Sequence, residues 1–158
     1  MSGKRFESVE ARSGRVVVGR LLPGADLMEG LEAVCDEHKI AFAAIEFAYG
    51  SLSSARFKFL QRPEGGRAVL VEHAVDARVE FIAGQGLVCE DGHGRRATHL
   101  HGAISDDTGT VFGGHFVPGG NPIYNNLDFM LVELVGVRLV REHDPETDTV
   151  EMRLERIE

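Results

Sequence analysis

Apolar positions first appear as a short run, Val16-Val17-Val18, that ends at Arg20 and predicts a strand. Pro23 and Gly24 turn the chain, and Asp26 stands where a helix cap belongs, with Glu29 at capping-box spacing three residues on. Leu27, Leu31, Val34 and Cys35 recur at i, i+4, i+7 and i+8, one apolar stripe of an amphipathic helix. His38 and Lys39 close that helix where its dipole favours cations. Cys35 falls on the apolar stripe and reads as a small buried hydrophobe.

From Ile40 the period shortens. Residues 40–49 are largely apolar, as a strand buried on both faces would be, and 50–54 form a turn cluster. Phe57 and Phe59 alternate with Arg56 and Lys58 across 55–60, the signature of a half-buried strand. Residues 62–66 break it and 68–71 resume it. Val79, Phe81 and Val88 mark a further strand that Gly84 and Gly86 bend, and 90–96 read as a polar loop. Two strands follow, 98–105 and 110–117, joined by Asp106-Asp107-Thr108-Gly109. A glycine-rich turn at 118–122 leads into apolar 127–140, then a turn at 144–148 and an alternating strand at 150–157. One helix and many short strands at hairpin spacing predict an α+β fold, a mostly antiparallel β-sheet with one main flanking α-helix.

Size and charge narrow the function. At 158 residues the chain fits a tail over 1–11 and a single domain over 12–158. Hydrophobic residues at 43% and charged residues at 27% exclude global disorder. No apolar run is long enough for a membrane helix, and the N-terminus lacks a signal-peptide core, so a cytoplasmic address is expected. Cys35 and Cys89 make neither a disulfide framework nor a CxxC motif. The formal net charge is −8, but Lys4, Arg5, Arg12, Arg15 and Arg20 give the first 20 residues +3 and leave −11 on the rest. An acidic body repels phosphate backbones, which disfavours generic DNA binding.

Candidate chemistry lies in three of the seven histidines. His99 and His101, two apart on a strand, point to one face. If Asp107-Thr108-Gly109 is a three-residue hairpin loop with Gly109 left-handed, Asp106 pairs with Thr110 and His101 lies opposite His115. Directly opposed residues share a face, so three imidazoles converge. Such a set suits zinc or another divalent transition metal and leaves a fourth position for water or an anion. Gly102, Gly113 and Gly114 are expected to leave room above it. The alternative is three unrelated strand residues, or a polar patch between subunits. Arg20 is the candidate contact for a small anionic ligand, with a surface ion pair as its alternative reading. No GxSxG, P-loop, GxGxxG or HExxH motif is present.

Residues 20–27 (RLLPGADL), the stretch 45–51 ending Tyr49-Gly50-Ser51, His99-Leu100-His101, 106–109 and 111–115 (VFGGH) resemble the plants and prokaryotes conserved domain, PPC or DUF296. The resemblance covers about residues 12–155. It implies an antiparallel sheet with a flanking helix, a homotrimer, and a metal on the positions matching His99, His101 and His115. Plant relatives precede this domain with an AT-hook, whereas this chain has no RGRP core. Ala25 stands where the family commonly has an acidic residue, and 78–82 depart from its more regular glutamate-apolar strand. The implied role is a metal-binding assembly or ligand-binding domain. The alternatives are a metal-dependent hydrolase or lyase at the open site, and a DNA-binding transcriptional regulator.

Overall fold

The computed structural model describes residues 5–62 and 69–157. Lys4, the break at 63–66 and Ala68 lie outside the described residues. The elements run β1 (Arg12–Leu21), α1 (Leu27–Glu37), β2 (Ala43–Leu52), β3 (Ala55–Gln61), β4 (Val69–Val75) and β5 (Val79–Val88). There follow β6 (Glu90–Asp91), β7 (His99–Ser105), β8 (Val111–Phe116), β9 (Ile123–Val135), β10 (Val137–Asp144) and β11 (Thr149–Arg156). Eight strands form one sheet in the order β1-β9-β2-β5-β7-β8-β3-β4, and β11-β10-β6 form a second. Only the β10–β6 pair is parallel among the described strand pairs. The α+β, mostly antiparallel architecture is as the sequence predicts.

The helix starts where its cap requires. Asp26 Oδ1 accepts from the Met28 and Glu29 amides at 3.0 and 3.2 Å, satisfying two donors that the first turn leaves orphaned. Its second oxygen accepts from the Asn121 amide at 2.8 Å, so one carboxylate ties the helix to the 118–122 turn. Asn121 is fully buried, donating to Val117 O at 2.6 Å and accepting from Arg56 N at 2.8 Å. The helix ends at Glu37 with His38 as its cap, and Lys39 takes a left-handed φ of 54°, so both residues sit just past the last turn.

Leu27, Met28, Leu31 and Cys35 press the helix stripe onto one face of the large sheet, against Leu21, Ile45, Phe57, Phe81, Phe116, Phe129 and Leu131. Fully burying each such side chain is worth about 1.5–3 kcal/mol, so this face holds most of the fold's stability. A second, smaller core of Phe42, Cys89, Val137 and Leu139 lies under the three-stranded sheet.

Three sequence expectations need correction. The 40–49 segment is a strand only from Ala43, and Glu46 and Tyr49 are exposed, so it is buried on one face rather than two. It continues through Gly50 and Ser51 to Leu52, because pairing with β5 and β9 carries the polar residues along. The apolar 127–140 run is two strands in two sheets, parted at Gly136 with φ 84°, and the 90–96 loop contains the short strand β6.

Candidate metal centre

Strand alternation decides which side chains reach the site. On β7, Leu100 and Ile104 are fully buried on the helix side, which sends His99 and His101 to the opposite face. On β8, Phe116 is fully buried, which sends His115 the same way. The hairpin forms as its loop chemistry predicts. Asp106 N donates to Thr110 O and Gly109 N to Asp106 O, each at 3.1 Å, with Gly109 at φ 81°. The Asp106 carboxylate also accepts from the amides of Thr108 and Thr110, both at 2.9 Å, and locks the loop length. That length fixes the register, and His101 pairs directly with His115.

The three rings pack together, with centroids 4.8 to 5.2 Å apart. His99 Nε2 lies 3.0 Å from His101 Nε2, and one ligand nitrogen from each histidine falls within 4.8 Å of the others. Tetrahedral zinc with bonds of about 2.0–2.1 Å needs donor nitrogens roughly 3.3 Å apart, so side-chain rotations suffice to gather them. His99 and His115 are half-buried, and His101 is exposed, which leaves the group open on one side. Burial is the main cause that lowers the His99 imidazole to about 4, helped by the charge of Arg141 and by the other two rings. Burial likewise lowers His115 to about 4, with His101, Arg141 and Lys58 adding to it. Both rings are therefore held in the neutral form that ligates metal. The residues fit a divalent transition metal, with His99, His101 and His115 as its holders. Such an ion supplies Lewis acidity and an open coordination position.

Arg20 is not brought to this group. It lies on the outermost strand β1, opposite Asp128, with β9, β2 and β5 between it and β7. The cation whose charge reaches both His99 and His115 is Arg141 of β10. One signal in the sequence points to it. Val137 and Leu139 are buried in the smaller core, and Arg141 is next in the same i, i+2 row. The glycines have a different role from the room expected above a metal. A Cβ on Gly113 would stand 2.1 Å from Gly102 O, and one on Gly102 would stand 2.7 Å from the Phe81 ring. They allow close strand approach and seat Phe81 beneath the hairpin. Cys35 and Cys89 are free and buried, and burial pushes both thiols up to about 11, so neither joins the histidines as a thiolate at neutral pH.

Comparison with known proteins agrees with this architecture. A bifunctional protein GlmU of Synechococcus sp. (strain JA-3-3Ab) is 32% identical over 153 residues, covering 97% of this chain. The chain spans only 22% of that relative's length. A metal-containing protein of Archaeoglobus fulgidus superposes with a TM-score of 0.78 at 23% identity, covering 94% of this chain and 99% of that one. A plant- and prokaryote-conserved (PPC) protein of Pyrococcus horikoshii superposes with a TM-score of 0.74 at 22% identity, covering 95% and 99%. Other structures of this fold carry a provisional DNA-binding label. The family profile matches residues 8–135, and the chain belongs to the Plants and Prokaryotes Conserved (PCC) domain family.

Proposed function

We propose that this chain is a metal-binding, homotrimeric assembly domain that holds zinc, or a similar divalent metal, on His99, His101 and His115 and receives a small ligand at the open position. The observation that carries the reading is the convergence of three imidazoles, two of them held neutral, with no carboxylate in the group among the described residues. A chance polar patch has no need of neutral rings packed nitrogen to nitrogen. The label of the Archaeoglobus fulgidus relative as metal-containing supports the same reading.

Assembly is supported by the sheet face that α1 does not cover. Val16 and Val18 are 58% and 70% exposed there, and Tyr49 and Ile82 are 49% and 44% exposed, so apolar surface runs across several strands. In the Synechococcus protein the matching part is a fraction of a larger bifunctional chain, as suits a module rather than a self-contained enzyme. A hydrolytic reading would need a general acid or base beside the histidines. The strand partners there are Lys58 and Gln85, and Arg141 is the further neighbour. For the DNA reading, Arg5 and Arg15 of the basic N-terminal stretch are drawn into ion pairs with Glu146 and Glu133. No helix among the described residues is long and apolar enough to cross a membrane. The two free, buried cysteines suit a reducing, cytoplasmic setting.

The test is elemental analysis of untagged protein purified without chelators, with light scattering on the same sample. About one metal per chain and three chains per particle are expected. His101→Ala should drop the metal to none, while His93→Ala, in the 90–96 loop, should leave it unchanged. No metal after incubation with zinc would remove the metal reading. A strict monomer at micromolar concentration would remove the assembly reading.

A further inference from the structure

Among the described residues, Arg141 is the charged side chain acting on the histidines that has a donor both shielded from solvent and unpaired. Its Nη2 donates to Val150 O at 3.0 Å, but Nη1 is shielded from solvent and has no hydrogen-bond partner. A guanidinium is always charged, and a shielded donor left without an acceptor is costly, so its retention calls for a reason. Position supplies one. Arg141 continues the inward row of Val137 and Leu139, and its charge is felt by both His99 and His115.

The charges facing Arg141 do not neutralise it at that end. The Cys89 thiol is held protonated by burial, and Glu151 is an exposed residue that already accepts from Thr149 Oγ1 at 2.6 Å. Lys58, opposite His115 on β3, adds a second cation. Imidazoles that ligate a metal do so as neutral donors, so a divalent ion among them would leave the locality strongly positive. An anion answers both the unfilled coordination position and the unpaired donor.

We propose that Arg141 and the metal held by His99, His101 and His115 form a two-point site for a small oxyanion, a carboxylate or a phosphate. One oxygen takes the open metal position and a second accepts from Arg141 Nη1. The exposed His101 side is the route of entry. An oxyanion carries two oxygens on one centre, one for the metal and one for the guanidinium donor, which makes the pairing selective for oxyanions over neutral nitrogen ligands. The inference rests on the metal reading above.

The test uses the full chain loaded with cobalt(II), whose visible bands report changes in coordination, and three probes: inorganic phosphate, acetate and neutral imidazole. Arg141→Met should bind phosphate and acetate at least tenfold more weakly than the wild type. Its imidazole affinity should stay within twofold and its cobalt stoichiometry should not change. Arg141→Lys, which keeps the charge but not the Nη1 donor, should fall between. The order of phosphate and acetate in the wild type tells which oxyanion the site prefers. Equal anion binding by wild type and Arg141→Met would overturn the proposal. So would a wild type that takes imidazole more readily than either oxyanion, a result that needs no variant to fold. A chain that takes up no cobalt fails before any anion is added, and that failure belongs to the metal reading and removes this one with it.

Discussion

The eight-stranded sheet gathers three imidazoles through one hairpin, whereas the three-stranded sheet brings Arg141 to them by packing segments far apart in sequence. In the first case the loop fixes the register, the register fixes the face, and the face fixes the chemistry. In the second, nothing local to β10 says what its inward row will meet. The two sheets also differ in how much they bury. Phenylalanine and aliphatic residues of several strands fill the larger core, and four buried residues make up the smaller one. On the proposed reading, a metal site anchored on the stronger sheet with its ligand contact on the weaker one would keep its ion while its ligand end yields.

Truncation in each core is the most disruptive way to test that difference. Phe81 is fully buried, packs edge-on against Phe116 at 5.1 Å and covers Gly84 and Gly102. Phe81→Ala should cost about 3–5 kcal/mol and loosen the hairpin above it. Leu139→Ala in the smaller core should cost about 2 kcal/mol and leave the metal stoichiometry intact. Urea unfolding with metal analysis on both variants decides the matter. If Leu139→Ala cost as much as Phe81→Ala, or lost the metal, the two sheets would be one cooperative unit and the contrast would fail.

A smaller effect sharpens the hairpin half of the comparison. Gly113 stands across from Ala103 on the adjoining strand, and a Cβ there would meet Gly102 O at 2.1 Å. Gly113→Ala must push β7 and β8 apart, at about 1–3 kcal/mol, and should weaken metal binding with it. Gly109→Ala meets nothing within 4 Å but must hold φ at 81°. It should cost about 1 kcal/mol and leave the metal in place. Unchanged metal affinity in Gly113→Ala would show that the rings do not depend on strand spacing.

Sequence legibility follows the same division. Asp26 and its apolar stripe, the Asp106–Gly109 loop and the opposition of His101 and His115 could be read because each depends on contacts within a few residues or on one loop length. The Gly136 break within an apolar run could not, since both halves are apolar for different reasons, one facing each core. Arg20 is a candidate by charge alone, but sheet order puts three strands between it and β7. Sheet order is a long-range property that alternation does not carry. The role of Gly102 was missed for a similar reason, because Phe81 reaches it from a neighbouring strand.

The mildest perturbation is protonation, and it acts on the histidines without changing a residue. In the metal-free chain His99 and His115 are lowered to about 4, chiefly by burial, against an ordinary imidazole value of about 6.5. The unfolded chain therefore binds protons first as pH falls. The stability that these rings contribute is fully present above about 6.5 and is lost as the pH drops through 4. Because both rings are only half-buried, solvent softens the slope. Urea midpoints of the metal-free chain should thus decline between pH 6.5 and 4, and a His99→Gln, His115→Gln double variant should decline less over that window. An identical decline in the double variant over that window would place the acid sensitivity in groups other than these two rings. Glu133, which Arg15 holds at about 2, and Asp91, which hydrogen bonds from Arg95 and His93 hold at about 2, act lower on the pH axis. Those carboxylates release their stability only below about 4, as their protons return, so the two sources separate along the pH axis. A decline confined to pH below 4 would mean that His99 and His115 titrate as freely as exposed histidines, and the burial of these two rings would not describe the chain in solution.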